Sequence, residues 1–177
     1  MQAYHDVDWG TPLHGEQALF QLLTLEGAQA GLSWATVLHR REGYRRAFAG
    51  FDAELIAGWP DTVIEGLMQD PGIIRNRAKI TSVLNNARAV CALHSSGTDL
   101  DSHLWSFVGG VPLQPALDPT ASLPATTELS KSLSRDLKRR GFGFVGPTIV
   151  YAFMQASGMT NDHTTDCFRF SELAPSA

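Results

Sequence analysis

The sequence has 177 residues, of which 44% are hydrophobic, a net charge of −4 and two cysteines. This length favours one folded domain over residues 1–177, with enough apolar side chains for a sizeable core. No apolar run approaches the ~20 residues of a membrane-spanning helix, and the amino terminus lacks the pattern of a secretory signal. Two cysteines do not indicate a disulfide framework in a chain of this length, so we expect a cytoplasmic protein.

Apolar residues recur at helical spacing along most of the chain without a convincing strand pattern, so we predict an all-α fold. The predicted helices of the first part span 15–31, 33–48, 61–70, 73–94 and 101–108. Ser33 is placed as an N-cap, and Thr62 with Glu65 has the spacing of a capping box. A loop rich in proline and glycine follows over 109–127.

The segment at about 127–158 predicts two helices joined by a glycine hairpin. Leucines at every fourth position indicate the first helix, the string GFGFVG at 141–146 ends it, and Pro147 begins the second. The N–H groups of such a hairpin, with the start of the second helix, can bind an anion. Three bases flank it, Lys138, Arg139 and Arg140. These features favour a DNA phosphate, and a plain turn between core helices is the alternative.

Basic residues are grouped in three clusters, at 39–46, 75–79 and 131–140, on a chain whose net charge is −4. Each cluster by itself is typical of a solvated helix face. The three clusters together favour a surface that faces phosphates, because lysine and arginine neutralise a nucleic-acid backbone.

The string NDHTTDC places His163 and Cys167 four residues apart. On a helical turn the two side chains would face the same way and could share a metal, although such pairs are more often accidental. His5, in the string AYHD, offers a third ligand, and a metal there would join the two chain ends and stabilise the fold. Asp6 and Asp162 are the predicted acceptors for the imidazole N–H groups.

The string LEGAQAGLSW combines an acid, an apolar residue and a large aromatic residue around a glycine turn. Glu26 falls near the end of an apolar helix, where a carboxylate is expected to face solvent or to cap a neighbouring backbone. Leu32 and Trp34 follow across the turn. A base-flipping protein needs these same parts: an aromatic ring to stack on the extruded base, a carboxylate to bind its edge and an apolar wedge. Both interpretations of Glu26 remain open at this point.

Several strings together closely resemble the DNA-3-methyladenine glycosylase I family, a branch of the helix-hairpin-helix DNA glycosylases. They are AYHDVDWG, LEGAQAGLSWATVLHRREGYRRAF, DPGIIRNRAKI, LWSFV and SKSLSRDLKRRGFGFVGPTIVYAFMQASGMTNDH, with the cysteine four residues beyond. The resemblance covers nearly the whole chain in order. It implies a compact helical fold with the two chain ends together. It also implies an enzyme that excises 3-methyladenine from alkylated double-stranded DNA by hydrolysing the N-glycosidic bond. No lysine is obviously placed as a Schiff-base nucleophile, so we expect a monofunctional hydrolase, and a monomer suits a base-flipping enzyme of this size.

The resemblance further implies roles for individual residues. The base pocket falls on Tyr4, Glu26 and Trp34, with Glu26 as the catalytic residue. The wedge falls on Gly31 and Leu32. The DNA-binding hairpin falls on Gly141, Gly143, Val145 and Gly146, beside Lys138, Arg139 and Arg140.

A structural Zn²⁺ is implied as well, held in the family by two cysteines and two histidines. His5, His163 and Cys167 match three of these ligands. The remaining cysteine of the family lies upstream of the first histidine, beyond the point where this sequence begins. We therefore expect a zinc site with three identified ligands. Asp162 follows the second hairpin helix, and two roles are open for it, activation of water or orientation of His163.

Two further interpretations come from other classes of protein. A non-catalytic helix-hairpin-helix module would bind DNA without excising a base, and the joint presence of Tyr4, Glu26 and Trp34 argues against it. A zinc-dependent hydrolase would use His5, His163 and Cys167 around a metal with an open fourth position. Activity that survives a chelator, under conditions that leave the fold intact, excludes this last interpretation.

Overall fold

The structure, a computed structural model, describes residues 1–120 and 122–174. These residues form helices α1 (Glu16–Gln29), α2 (Trp34–Leu38), α3 (Arg41–Ala47), α4 (Ala53–Ala57), α5 (Val63–Leu67), α6 (Arg77–Ser95), α7 (Leu100–Ser106), α8 (Glu128–Arg139), α9 (Pro147–Ala156) and α10 (Phe168–Glu172). A short π-helix, Tyr4–Asp8, precedes them, and a 3-10 turn, Ala49–Phe51, separates α3 from α4. The all-α prediction is confirmed, since the described part contains no strand. Within it, no helix has the length and hydropathy needed to cross a membrane.

Side chains cap the starts of several helices, at Ser33, Asp52, Asn76, Asp99 and Thr127. The prediction for Ser33 is confirmed, because its hydroxyl accepts a hydrogen bond from the Thr36 N–H at 3.3 Å. The predicted capping box in α5 is wrong, since the Thr62 side chain makes no cap hydrogen bond. Glu65 instead accepts two hydrogen bonds from Arg77, at 2.6 and 2.8 Å.

The single helix predicted over 33–48 is wrong, because the structure divides it into α2 and α3. The chain leaves helical geometry at Arg40, where φ is −101° and ψ is 3°. Helix α3 then packs directly on the turn at Gly72, so that a Cβ atom on Gly43 would lie 2.1 Å from the Gly72 carbonyl oxygen. This long-range contact has no counterpart in local periodicity. Periodicity also fails to predict the short helices α4 and α10.

Helix α1 runs through the interior of the molecule. Helices α2, α7 and α9 pack against it, together with the 3-10 turn, and its residues 23–28 are all buried. A helix that is covered on every face carries its polar residues into the core. The acid carried inward in this way is Glu26.

The two ends of the chain lie together. The Leu13 N–H donates to the Ser157 carbonyl at 3.0 Å, and the Arg169 guanidinium donates to the Thr11 hydroxyl at 2.5 Å. These contacts place the amino-terminal π-helix beside the segment that follows α9. The expectation of adjacent chain ends is confirmed.

Candidate active site and metal centre

Glu26 is a buried carboxyl group. It is only 4% exposed, and burial raises its pKa from an ordinary value of 4.5 to about 8. No charge or hydrogen bond from the described residues offsets this effect. The prediction of a solvent-facing or capping Glu26 is therefore wrong, and the alternative of a buried carboxyl near the end of α1 is correct. A carboxyl group in such an environment holds its proton until a cation or a donor arrives.

Tyr4 and Trp34 form an aromatic pair next to this carboxyl group. Their ring centroids are 5.5 Å apart, with an angle of 48° between the planes. Burial raises the pKa of the Tyr4 phenol, and the negative charge of Glu26 raises it further, which places the two groups close together. The indole N–H of Trp34 is buried, and apart from its approach to the Tyr4 hydroxyl it has no hydrogen-bond partner among the described residues. An unpaired buried donor of this kind can serve a bound ligand.

An open pocket of about 480 Å³ lies against the aromatic pair. Its lining residues are Met1, Gln2, Tyr4, His5, Trp9 and Trp34. A planar base fits such a pocket by stacking on the aromatic rings. The pocket and the buried carboxyl of Glu26 meet at Tyr4, which contacts one and is influenced by the charge of the other.

The turn between α1 and α2 carries the predicted wedge. Gly31 has a φ of 78°, a left-handed conformation that favours glycine. Leu32 follows it with 40% of its surface exposed, and Ser33 then caps α2. The structure thus presents an apolar side chain on a short turn, two residues before Trp34. Insertion of Leu32 into DNA stays a prediction.

The glycine hairpin joins α8 and α9 as predicted, but its N–H groups are not all free. The Gly141 N–H donates to the Lys138 carbonyl at 3.0 Å, and the Gly143 N–H donates to the Asn86 side chain at 2.7 Å. The prediction of free N–H groups is therefore wrong at these two glycines. Among the described residues, no acceptor binds the three N–H groups that follow, those of Phe144, Val145 and Gly146. Since the Val145 side chain is buried, only its backbone can contact a phosphate.

The three bases beside the hairpin are exposed, and two of them, Arg139 and Arg140, converge on one acid. Asp136 accepts hydrogen bonds from Arg139 at 2.7 Å, from Arg140 at 2.8 Å and from His103 at 2.8 Å. Burial by itself raises the pKa of Asp136, but the hydrogen bonds from Arg140, Arg139 and His103 outweigh it and lower the pKa to about 2. Lys138 is exposed and makes no such contact in the described part. The basic face of the hairpin is consequently held in place while its charge stays accessible.

Replacing Lys138 and Arg139 by glutamine together is expected to weaken binding to undamaged duplex DNA. If both side chains contact phosphates, the slope of log K against log salt concentration becomes shallower by about 2. Fluorescence anisotropy at several salt concentrations measures this slope. Arg88→Gln is the matched control, because Arg88 pairs with Asp61. An unchanged slope in the double variant removes these two side chains from the DNA interface.

Two side chains of the cluster at 75–79 make contacts within the protein. Arg77 is paired with Glu65, and the Lys79 ammonium donates to the carbonyls of Ala28 and Ala30, at 2.8 and 2.7 Å. The Arg77 side chain is exposed in this pair, and a phosphate-facing surface at 75–79 stays a prediction.

The three predicted metal ligands come together. The Sγ atom of Cys167 lies 3.8 Å from Nε2 of His5 and 3.5 Å from Nδ1 of His163, and all three ligand atoms lie within 4.8 Å of one another. Two imidazole nitrogens and one thiol are a donor set that suits Zn²⁺. The segment 164–167 is a turn rather than a helix. A tight turn, and not a helical one, therefore brings His163 and Cys167 together.

The outer nitrogens of the two imidazoles are also bound. Nδ1 of His5 lies 2.8 Å from the Asp6 carboxylate, and Nε2 of His163 lies 3.3 Å from the Trp9 carbonyl. Acceptors in these positions orient histidine ligands toward a metal. Asp6 has the predicted role, whereas Asp162 does not.

Asp162 belongs to a separate buried network. It accepts hydrogen bonds from the Tyr151 hydroxyl, from Gln155 at 2.8 Å and from Thr160 at 2.7 Å. It is only 4% exposed. This carboxylate fixes the segment after α9 to that helix, so the prediction that it orients His163 is wrong.

Comparison with known proteins decides the family. The model of the methyladenine glycosylase family matches residues 1–170. This chain belongs to that family. A DNA-3-methyladenine glycosylase of Haemophilus influenzae is 46% identical over 164 residues, covering 93% of this chain and 89% of the relative. DNA-3-methyladenine glycosylase 1 of Escherichia coli K12 is 46% identical over 165 residues, covering 93% and 88%.

Solved structures of methyladenine glycosylases share the fold. A crystal structure of 3-methyladenine DNA glycosylase I has a TM-score of 0.90 at 47% identity, covering 94% of this chain and 92% of that one. The Staphylococcus aureus enzyme, solved to explain its recognition of 3-methyladenine, has a TM-score of 0.92 at 35% identity, covering 99% and 92%. The family resemblance seen in the sequence is confirmed.

The sequence of this methyladenine glycosylase does not predict the structural roles of two residues, Lys79 and Asn86. Lys79 binds the carbonyls of Ala28 and Ala30, and Asn86 binds the backbone of Gly143, each about 50 or more positions away. Only knowledge of which helices meet could have identified them. Trp9, which packs against both metal-site histidines, is signalled only by its place in the string YHDVDWG.

Proposed function

We propose that this methyladenine glycosylase flips 3-methyladenine out of alkylated double-stranded DNA and excises it as a monofunctional hydrolase. The observation that carries the proposal is the buried carboxyl of Glu26, with its pKa of about 8, beside the Tyr4–Trp34 pair. Family membership and the shared fold of the solved relatives support it. Free 3-methyladenine and an abasic site are the products.

The chemistry of the substrate suits this environment. Methylation at N3 gives the adenine a positive charge, so that it leaves readily with the electron pair of the C1′–N9 bond. Glu26 yields its proton to solvent as the cationic base enters, and its carboxylate then accepts a charge-assisted hydrogen bond from the base. Ordinary adenine is neutral, so it neither favours ionisation of Glu26 nor forms this hydrogen bond between opposite charges. Trp34 and Tyr4 add stacking and cation–π attraction to the charged ring.

Water supplies the group that replaces the base at C1′. A monofunctional reaction is supported by the positions of the three lysines, Lys79, Lys131 and Lys138, none of which lines the pocket. Lys79 is bound to two carbonyls and Lys131 to Glu128. A Schiff-base nucleophile of the kind that a lyase uses is therefore not placed here.

The assay for this proposal uses duplex DNA treated with a methylating agent. Wild-type protein is expected to release 3-methyladenine, identified by chromatography against a standard, and to leave the phosphodiester strand uncut. Strand cleavage at the abasic site contradicts the monofunctional assignment. Duplex binding without release of any base identifies a non-catalytic helix-hairpin-helix module instead.

For the metal centre, we propose a structural Zn²⁺ held by His5, His163 and Cys167. The metal would close the two ends of the chain, with Asp6 and the Trp9 carbonyl orienting the imidazoles. The zinc supplies cross-linking in this arrangement, and the base chemistry takes place around Glu26. His5 also lines the base pocket, so the metal site supports one wall of that pocket.

Removal of this metal is expected to lower thermal stability. At free Zn²⁺ 100 times above the Kd, bound metal contributes about 2.7 kcal/mol, which raises Tm by roughly 5–11 °C in a chain of this length. Metal analysis gives the zinc content, and calorimetry with and without a chelator gives the change in Tm. Cys167→Ser should lose the metal, whereas Cys91→Ser, at a thiol in contact with Ala53, should retain it. An equal zinc content in all three proteins contradicts the proposed ligand set.

A further inference from the structure

The ammonium group of Lys79 caps the carboxyl-terminal end of α1. It lies 2.8 Å from the Ala28 carbonyl and 2.7 Å from the Ala30 carbonyl. Helix α1 has no basic residue in its own last turn, so this side chain from α6 supplies the positive charge that a helix end favours. The turn that it holds leads directly into Gly31 and Leu32.

Asn86, on the same helix, holds the glycine hairpin. Its side-chain amide donates to the Gly143 carbonyl at 3.2 Å, and its side-chain oxygen accepts from the Gly143 N–H at 2.7 Å. It is only 3% exposed. Ser82 packs beneath the same glycine, where an added Cβ would lie 3.1 Å from the serine Cβ. The hairpin backbone is therefore fixed to α6 by a two-point amide contact.

Lys79, Ser82 and Asn86 lie on one face of α6, because residues three, four and seven apart align on a helix. The axial distance between the two anchors is about 10 Å, at ~1.5 Å per residue. Helix α1 also touches the hairpin directly, since a Cβ on Gly27 would lie 3.0 Å from the Cβ of Phe144. One rigid helix face thus joins the turn that carries the wedge to the hairpin that faces DNA.

We propose that this face of α6 sets the register between the wedge and the phosphate-binding hairpin, with Lys79 and Asn86 as positioning residues. Flipping requires Leu32 to enter the stack at a fixed distance from the phosphates that the hairpin holds. Lys79 acts through the backbone of the wedge turn, and Asn86 acts through the backbone of the hairpin. This inference rests on the proposed excision of 3-methyladenine from duplex DNA.

Lys79→Met is the first test, because it keeps the aliphatic stem and removes both carbonyl contacts. The single-turnover rate of base release from methylated duplex DNA is expected to fall on the order of tenfold, the loss typical of charge-assisted hydrogen bonds. The Kd for free 3-methyladenine, measured by tryptophan fluorescence, should stay within about twofold of wild type, since Glu26, Tyr4 and Trp34 are untouched. Lys79→Arg, which keeps the charge and the donors, should recover most of the rate.

Asn86→Asp is the second test. It keeps the acceptor for the Gly143 N–H and places a carboxylate against the Gly143 carbonyl, which disturbs the hairpin. Weaker binding to undamaged duplex is expected, with the Kd for free 3-methyladenine again unchanged. Arg88→Met is the control for loss of charge from α6, because Arg88 pairs with Asp61.

Three results overturn the inference. An unchanged duplex rate in Lys79→Met denies the role of the carbonyl contacts. An equal loss of affinity for free 3-methyladenine shows that Lys79 only supports the base pocket. A shallower salt dependence of duplex binding in Lys79→Met shows a direct phosphate contact. Absence of base release by the wild type, in contrast, removes the proposed function itself.

Discussion

Glu26→Gln is expected to reduce the release of 3-methyladenine from duplex DNA by about 10- to 100-fold. Glutamine keeps the size and the hydrogen-bonding oxygen but cannot acquire a negative charge. The variant therefore loses the charge-assisted part of a buried hydrogen bond, worth about 1.5–3 kcal/mol. Single-turnover excision from a methylated duplex measures the loss.

The same substitution is expected to stabilise the fold at high pH. The folded-state pKa of Glu26, about 8, lies above its ordinary value of 4.5, so the folded chain binds the proton more tightly than the unfolded chain. Well below pH 4.5 both states are protonated, and the ionisation of Glu26 then contributes nothing to the free energy of unfolding. As pH rises toward 8, only the unfolded state ionises, and the wild type loses stability on the order of 4 kcal/mol at ~1.4 kcal/mol per pKa unit.

Urea unfolding at pH 5 and pH 8.5 tests this linkage. The free energy of unfolding of Glu26→Gln should exceed that of wild type by more at pH 8.5 than at pH 5. Glu42→Gln, at an exposed carboxyl on α3, should show no such difference. A constant gap between wild type and Glu26→Gln at both pH values shows that Glu26 ionises normally, and the proposed recognition then loses its physical basis.

Trp34→Ala is expected to reduce base release by a similar factor. Stacking of a base on an aromatic side chain contributes about 1–3 kcal/mol, and a cationic base gains cation–π attraction in addition. Without the indole ring, Tyr4 is the remaining member of the aromatic pair. The rate should therefore fall about 10- to 100-fold, with a matching rise in the Kd for free 3-methyladenine.

Trp34→Phe separates stacking on the ring from hydrogen bonding by the indole N–H. Phenylalanine keeps an aromatic face against the base and removes the buried indole N–H. If stacking dominates, Trp34→Phe retains most of the activity that Trp34→Ala loses. Equal losses in both variants would show that the indole N–H, rather than the ring face, binds the substrate.

The sequence predicts the helical class and the hairpin well, because both depend on local patterns. Leucines four residues apart mark α8, Pro147 marks the start of α9, and the structure has both helices where the pattern places them. The metal ligands are likewise recognisable, since few residue types bind zinc. Their closeness depends on the contact between the chain ends, which His5 alone does not reveal.

Features that depend on distant packing are not predictable from the sequence in this way. The burial of Glu26 follows from the helices that surround α1, and the same string LEGAQAG would suit a solvent-facing acid. The occupied N–H of Gly143 follows from Asn86, 57 positions away. The break at Arg40 lies three residues before the close contact of Gly43 with Gly72. In each case a tertiary contact decides between two local possibilities.

The pH dependence of kcat/KM for release of 3-methyladenine from duplex DNA tests the role of Glu26 most directly. If the ionised Glu26 carboxylate recognises the cationic base, kcat/KM rises with pH and levels off above about 8, the pKa of this group in the free protein. Glu26→Gln should give a low, flat profile over the same range. A wild-type profile that is flat from pH 6 to 9, or that matches the profile of Glu26→Gln, contradicts recognition of the base by the ionised Glu26.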